Sequence, residues 1–241
     1  MAAGEARKVH AANKLPVLIV GRRGLPMWNE VFEHNPYILQ HATSQRCNRI
    51  VNGGGVRPYI DLKTPGRWFW KPYKPIPAEL FFTKEEKAFA EPYRGMVMIE
   101  PHVKAVGHTN KAWPAARWLE LVSKLDLRWV QCVTSPEQSL PHNVLKVITP
   151  TFRLALAVQS VCKAFIGTDG GLMHGAAANE IPAVILWSEF TSPEIVGYPR
   201  MVNLRHAGKP CGLRVNCPNC HKAMEAITVT EVVAALKGIL A

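Results

Sequence analysis

Phe165-Ile-Gly-Thr-Asp-Gly-Gly-Leu-Met-His174, followed by Ala176-Ala-Ala178, is the stretch on which the fold turns. Residues 164–167 form a short apolar run that reads as a buried strand, residues 172–178 as a helix, and Ala183-Val-Ile-Leu-Trp187 as the next strand. Alternating strands and helices of this kind point to a parallel sheet covered on both faces. Ligands on an open parallel sheet bind beyond the carboxyl ends of its strands, which makes the loop Thr168-Asp-Gly-Gly171 the first candidate site. Gly170 and Gly171 let the backbone approach a ligand, and the N–H groups opening the next helix offer donors and a dipole to a diphosphate. Asp169 is placed to accept hydrogen bonds from sugar hydroxyls, with His174 one turn along. A simpler reading stays open, in which Asp169 caps the helix and His174 is a hydrogen-bonded core histidine.

The same alternation extends on both sides of this stretch. Residues 96–99, 129–133 and 144–148 read as strands, and residues 152–161 as an apolar helix. Pro114 suits a first helical turn, after which Trp118, Leu121, Val122 and Leu125 recur at helical spacing. Thr228 caps a last amphipathic helix through Val232, Val233, Leu236 and Leu240. Between strand and helix, Glu100-Pro-His102 leads through Lys104 into Thr109-Asn-Lys111-Ala-Trp113-Pro114. Lys104 or Lys111 there can hold a phosphate, or can simply be solvated.

Toward the amino terminus the pattern weakens. Residues 15–21 read as a first buried strand and residues 49–51 as another, followed by Asn52-Gly-Gly-Gly55, a flexible turn or a place of close backbone approach. Residues 58–77 mix proline, aromatic and basic residues (Lys63, Arg67, Lys71 and Lys74, with Arg57 just before them, around Trp68, Phe69, Trp70 and Tyr73) and are expected to be irregular. Thr83 and Glu86 have the spacing of a capping box, so a helix should run toward Tyr93. Regular alternation begins at Arg94-Gly95, which divides the chain into a first lobe, 1–94, and a second, 95–241.

The 241 residues are 48% hydrophobic and 20% charged, ordinary globular values that exclude disordered and fibrous classes. The 29 Lys and Arg against 18 Asp and Glu give a charge of +11, which favours anionic partners such as sugar nucleotides, phosphorylated glycolipids, membrane surfaces or nucleic acid. No apolar run approaches the roughly 20 residues of a membrane span, and the first 15 residues lack a signal-peptide centre, so the expected place is the cytoplasm, or the inner membrane surface as a peripheral protein. Six cysteines are too few for a disulfide scaffold in a chain of this length. Cys211, Cys217 and Cys220, followed by His221, have the spacing of a structural zinc knuckle or of a reduced thiol loop.

Taken together and in order, these motifs resemble the heptosyltransferase-like glycosyltransferases, glycosyltransferase family nine. The matching residues are Ile99-Glu-Pro-His102, Asn110-Lys-Ala-Trp-Pro114, Arg117-Trp118, Phe165 through His174, Ile181-Pro-Ala-Val-Ile-Leu186 and Thr191-Ser-Pro193. Many members also carry cysteines before a Met-x-x-Ile stretch and a final helix, as Cys211, Cys217 and Cys220 stand here before Met224 and Ile227. The resemblance covers residues 95–241. It implies the GT-B fold, two Rossmann-like lobes with the amino-terminal one shortened, in which the second lobe binds a nucleotide sugar, such as an ADP-sugar, and the first binds the acceptor. It implies that no catalytic metal is required, and no other cofactor is expected for catalysis; direct displacement of nucleoside diphosphate from the anomeric carbon by an acceptor hydroxyl gives inversion. Carried over by position, Thr109 and Lys111 contact the diphosphate, Asp169 the donor sugar, and Thr168, Gly170, Gly171 and His174 complete the pocket.

The first lobe matches only in pieces, Asn35-Pro-Tyr-Ile38 and Leu80 through Glu86. The family's glycine-aspartate pair after the first strand, whose aspartate is taken as general base, is replaced by Gly24-Leu25. Glu30, Glu33, His34 and Asp61 are the candidate replacements. Three functions remain: a glycosyltransferase acting on a glycan, glycolipid or other anionic acceptor; a nucleotide-sugar-binding protein without turnover; and a glycosyltransferase whose acceptor is nucleic acid, reached through the basic aromatic stretch.

Overall fold

The computed structural model describes residues 1–52, 57–104, 109–135, 143–206 and 208–241; the run Gly53 to Gly55 lies outside them. A small parallel sheet comes first, with β1 (Val17–Val20) between β2 (Ile38–Leu39) and β3 (Asn48–Val51). All four β1 residues are buried, as expected of β-branched and leucine residues in a central strand. Helix α1 (Ala2–Asn13), for which the sequence carried no clear signal, lays Ala3 and Ala6 against Val17, Ile19, Phe32, Tyr37 and Ile38.

Residues 58–77 are not irregular as expected. They contain an antiparallel hairpin, β4 (Ile60–Thr64) and β5 (Arg67–Trp70), turning at Pro65-Gly66. The cause is tertiary. Trp68 and Trp70, two residues apart on one strand face, close on Phe190 with ring centroids 5.9 and 5.4 Å away. Trp70 Nε1 donates to Phe190 O at 3.0 Å, and Trp68 N donates to Gly212 O at 2.9 Å. A partner more than a hundred residues away thus draws a segment rich in proline and cations into strand pairing.

The second sheet has six parallel strands: β6 (Val97–Glu100), β7 (Trp129–Val133), β8 (Val144–Ile148), β9 (Ala164–Thr168), β10 (Ala183–Trp187) and β11 (Val202–Arg205), in the order β11-β10-β9-β6-β7-β8. The helices are α2 (Lys84–Ala90), α3 (Ala115–Lys124), α4 (Phe152–Ser160), α5 (Gly171–Ala178), α6 (Pro193–Val196), α7 (Pro218–Ala226) and α8 (Val229–Leu240). Side-chain alternation splits each strand between two cores. Met98, Phe165 and Ile185 face α4 and α5 with Leu156, Met173 and Ala176. Val97, Ile99, Ile166 and Val184 face α3 and α8 with Trp118, Leu121, Val232 and Leu236. This is the doubly wound arrangement of a GT-B-like lobe, and the three-stranded sheet is separate from it. The capping boxes at Thr83–Glu86 and Thr228–Glu231 are both formed, and α2 continues into a 3-10 turn at Glu91–Tyr93.

Two features position the site. Chain order reverses at β6, whose neighbours β9 and β7 lead away in opposite directions, so a crevice opens beyond the carboxyl ends of β6 and β9. Arg153 of α4, 3% exposed, then ties the amino-terminal segments to the second sheet. Its guanidinium donates to both Glu86 carboxylate oxygens, to Phe81 O, and to Glu30 O and Glu33 O at 3.2 Å each.

Candidate donor site and thiol cluster

At the crevice, Lys111 ends a 3-10 turn, Thr109–Lys111, and reaches across to the loop after β9. Its Nζ donates to Asp169 Oδ2 at 2.6 Å and to Asp169 O at 3.0 Å, and lies 4.7 Å from the centre of the Phe190 ring. Both side chains are buried, with Lys111 at 9% and Asp169 at 6% exposure. Burial pushes the Asp169 carboxyl up from its ordinary value, against the pull of the neighbouring ammonium. Asp169 Oδ1 is buried and has no hydrogen-bond partner among the described residues. The side chain therefore pairs with Lys111 and does not cap α5, whose N-cap is Gly170 in extended conformation. Gly171 has a steric reason: a Cβ there would fall 2.8 Å from the Phe152 ring. Thr168 is buried at the end of β9, while Lys104 and Thr109 are exposed.

His174 lies one turn into α5 with Nδ1 at 2.9 Å from the Tyr198 hydroxyl. Burial holds its imidazole well below the usual pKa, and the charges of Lys111 and Arg57 act in the same direction, so the ring is neutral. On the neighbouring strand, Glu100 ends β6 in register with Gly167. Its carboxylate accepts from His102 N at 2.8 Å, and burial pushes its pKa up to about 7. His102 Nδ1 in turn meets Gln131 Nε2 at 2.8 Å.

The candidate bases do not gather in one place. Glu30 accepts from Phe152 N at 3.1 Å at the start of α4, one ring away from Gly171. Glu33 lies 3.8 Å from Arg153 Nε. His34 is exposed in a left-handed turn with φ 60°. Asp61 lines a cavity of about 320 Å³ together with Glu5, Arg22, Arg57 and Lys71. In the basic aromatic hairpin, Arg57, Lys63 and Arg214 stand 5.7, 5.1 and 4.9 Å from the Trp68 ring centre, so protein cations cover an indole that is itself buried.

Cys211, Cys217 and Cys220 place their sulfurs within 4.8 Å of one another. The Cys211 sulfur is 3.9 Å from that of Cys217 and 3.5 Å from that of Cys220. Sulfurs bound at 2.3 Å to a tetrahedral zinc lie about 3.8 Å apart, so the donor set fits that ion. The thiol of Cys220 hydrogen-bonds to Cys211 and, with Leu213 N and Cys217, holds the Cys211 thiol below its usual pKa, while Cys220 is pushed up. His221 turns its Nε2 to Asn216 Oδ1 at 2.6 Å and stands outside the thiol group.

Sequence reasoning named Lys111, Asp169 and the thiols. It did not find Phe190 beneath the lysine or Tyr198 behind His174, because neither stands in a motif.

The model of glycosyltransferase family 9 (heptosyltransferase) matches residues 69–212. Comparison with curated proteins returns no match. Among solved structures, the chain is similar to the Escherichia coli ADP-heptose LPS heptosyltransferase II, with a TM-score of 0.53 and 20% identity over 73% of this chain and 55% of that one. It is also similar to a family 9 glycosyl transferase from Veillonella parvula, with a TM-score of 0.55 and 15% identity over 99% of this chain and 77% of that one. The chain thus spans about half the length of the E. coli enzyme, and the likeness is one of fold. Among the described residues, no helix is long and apolar enough to cross a membrane.

Proposed function

The chain belongs to glycosyltransferase family 9, and from that premise we propose that it moves a glycosyl group from a nucleoside-diphosphate sugar, such as an ADP-sugar, to an acceptor hydroxyl. The observation that carries this reading is the buried Lys111–Asp169 pair at the switch crevice, with Asp169 Oδ1 left without a partner among the described residues. A buried pair of this kind gains little stability for the fold, and an orphaned carboxylate oxygen is costly, so the arrangement suits a ligand better than a scaffold. An incoming diphosphate takes over the Lys111 ammonium and the N–H groups opening α5. Asp169, released, accepts the hydroxyls of the sugar.

The acceptor oxygen then attacks the anomeric carbon as the bond to the diphosphate breaks, which inverts that centre. Lys111 stabilises the leaving charge. Among the four candidate bases, Asp61 lines the cavity of about 320 Å³, where Arg22, Arg57 and Lys71 outnumber Glu5 and favour an anionic acceptor such as a phosphorylated glycan or glycolipid. In this reading residues 1–94 are the acceptor-side lobe and residues 95–241 the donor lobe, working in the cytoplasm or at the inner membrane surface. Cys211, Cys217 and Cys220 would hold a zinc ion as a structural crosslink between the ends of their loop, and the transfer itself needs no metal.

Calorimetry with ADP and an ADP-sugar tests the donor site: Lys111→Ala should weaken both ligands. Asp61→Asn should lower the transfer rate by about 10²–10⁴-fold with donor affinity unchanged. Unaltered transfer would move the base to Glu30, whose carboxylate meets the start of α4 at Phe152 N. Zinc below one equivalent in protein purified without chelator would leave a thiol loop.

A further inference from the structure

Asn110 is 2% exposed and directs its whole side chain away from the crevice, into the loop that carries the thiols. Its Nδ2 donates to Leu213 O and Val215 O, each at 2.8 Å, and its Oδ1 accepts from Cys217 N at 2.9 Å. The next residue in the chain is Lys111. The same loop is fastened on the far side of the lysine ammonium, where Cys211 N donates to Glu189 O at 2.6 Å and Gly212 N to Phe190 O at 3.0 Å. Phe190 supplies the ring under Lys111 Nζ. The loop closed by Cys211, Cys217 and Cys220 therefore brackets Lys111 from both sides, by its backbone neighbour and by the surface its ammonium rests on.

We infer that Asn110 is a positioning residue for Lys111, and that the closed thiol loop sets where the ammonium stands. The inference rests on the reading of Lys111 as the donor-phosphate ligand. Three hydrogen bonds from one amide fix the 3-10 turn at Thr109–Lys111 against the loop, so the lysine enters the crevice from a rigid base. When the thiols part, the carbonyls of Leu213 and Val215 and the N–H of Cys217 move with them. Asn110 then loses its partners and the lysine its register with Asp169. Donor affinity is thereby linked to the state of three sulfurs that do not touch the donor.

The test is a double-mutant cycle read by calorimetry with ADP. Asn110→Ala should weaken ADP binding by about tenfold in protein of unchanged circular dichroism, and by less than about twofold in the Lys111→Ala background, since the effect passes through the lysine. Independent, additive losses would overturn the positioning role, as would an Asn110→Ala protein that binds ADP normally. If Asn110→Ala does not fold, reversible capping of the wild-type thiols with methyl methanethiosulfonate takes its place. Capping should weaken ADP by a similar factor and a reducing agent should restore it; unchanged affinity in the capped protein would refute the link. If Lys111→Ala itself leaves ADP binding intact, the donor-site reading fails, separately from the claim about Asn110.

Discussion

The three-stranded and six-stranded sheets are built from the same kind of strand but differ in what they can hold in place. In the larger sheet β7, β9 and β10 are buried along their whole length, helices cover both faces, and the strand ends carry a buried ion pair at 2.6 Å. In the smaller sheet only β1 is fully buried, β3 alternates between half-buried and exposed positions, and nearby His34 and Asp61 are exposed. A charged group keeps one geometry when packing leaves it no other, and an exposed one takes its geometry from what binds it. The larger sheet thus holds its charged pair in one geometry, whereas the exposed groups near the smaller sheet take theirs from what binds them.

The largest expected effect comes from cutting the tie between the two regions. Arg153→Ala leaves Glu86 without its guanidinium and three backbone carbonyls without their donor, which should destabilise the protein by about 3–5 kcal/mol in urea. Loss of the smaller sheet alone, with the larger one still folded, would sharpen the contrast; a single transition with all probes coincident would show one cooperative unit.

A smaller effect is expected from Glu100, which belongs to the larger sheet. Its pKa is about 7 in the folded protein against an ordinary 4.5. The folded state therefore binds the proton more tightly, and the associated stability is present below the unfolded value and lost as pH rises through about 7. Glu100→Gln should flatten the stability profile between those limits and stabilise the protein at pH 8 by on the order of 2 kcal/mol. A profile identical to wild type would place the carboxylate in water.

The finest comparison is between two ligands at one site. Asp169→Asn should weaken an ADP-sugar by roughly tenfold to a hundredfold, the equivalent of one hydrogen bond to a charged group. It should not weaken ADP, because the substitution also removes the carboxylate that competes for Lys111. Equal losses for both ligands would mean that Asp169 serves only to hold the lysine.

The amino-acid sequence by itself determined the doubly wound lobe, since alternating apolar runs, proline at a helix start, threonine caps and the glycine loop are local signals that survive without context. The same is true of the thiol cluster, where so few residues separate Cys211 from Cys220 that proximity follows from chain length. Only the tertiary structure decided the hairpin of residues 60–70, because Trp68 and Trp70 become strand residues through Phe190, and local composition says the opposite. It also decided that Lys111 pairs with Asp169 over that same ring and that Asn110 faces the thiols, for these contacts join segments from 58 to 107 residues apart. Contacts at that distance leave no periodicity in either segment, and they come into being only when the sheet brings its strand ends together.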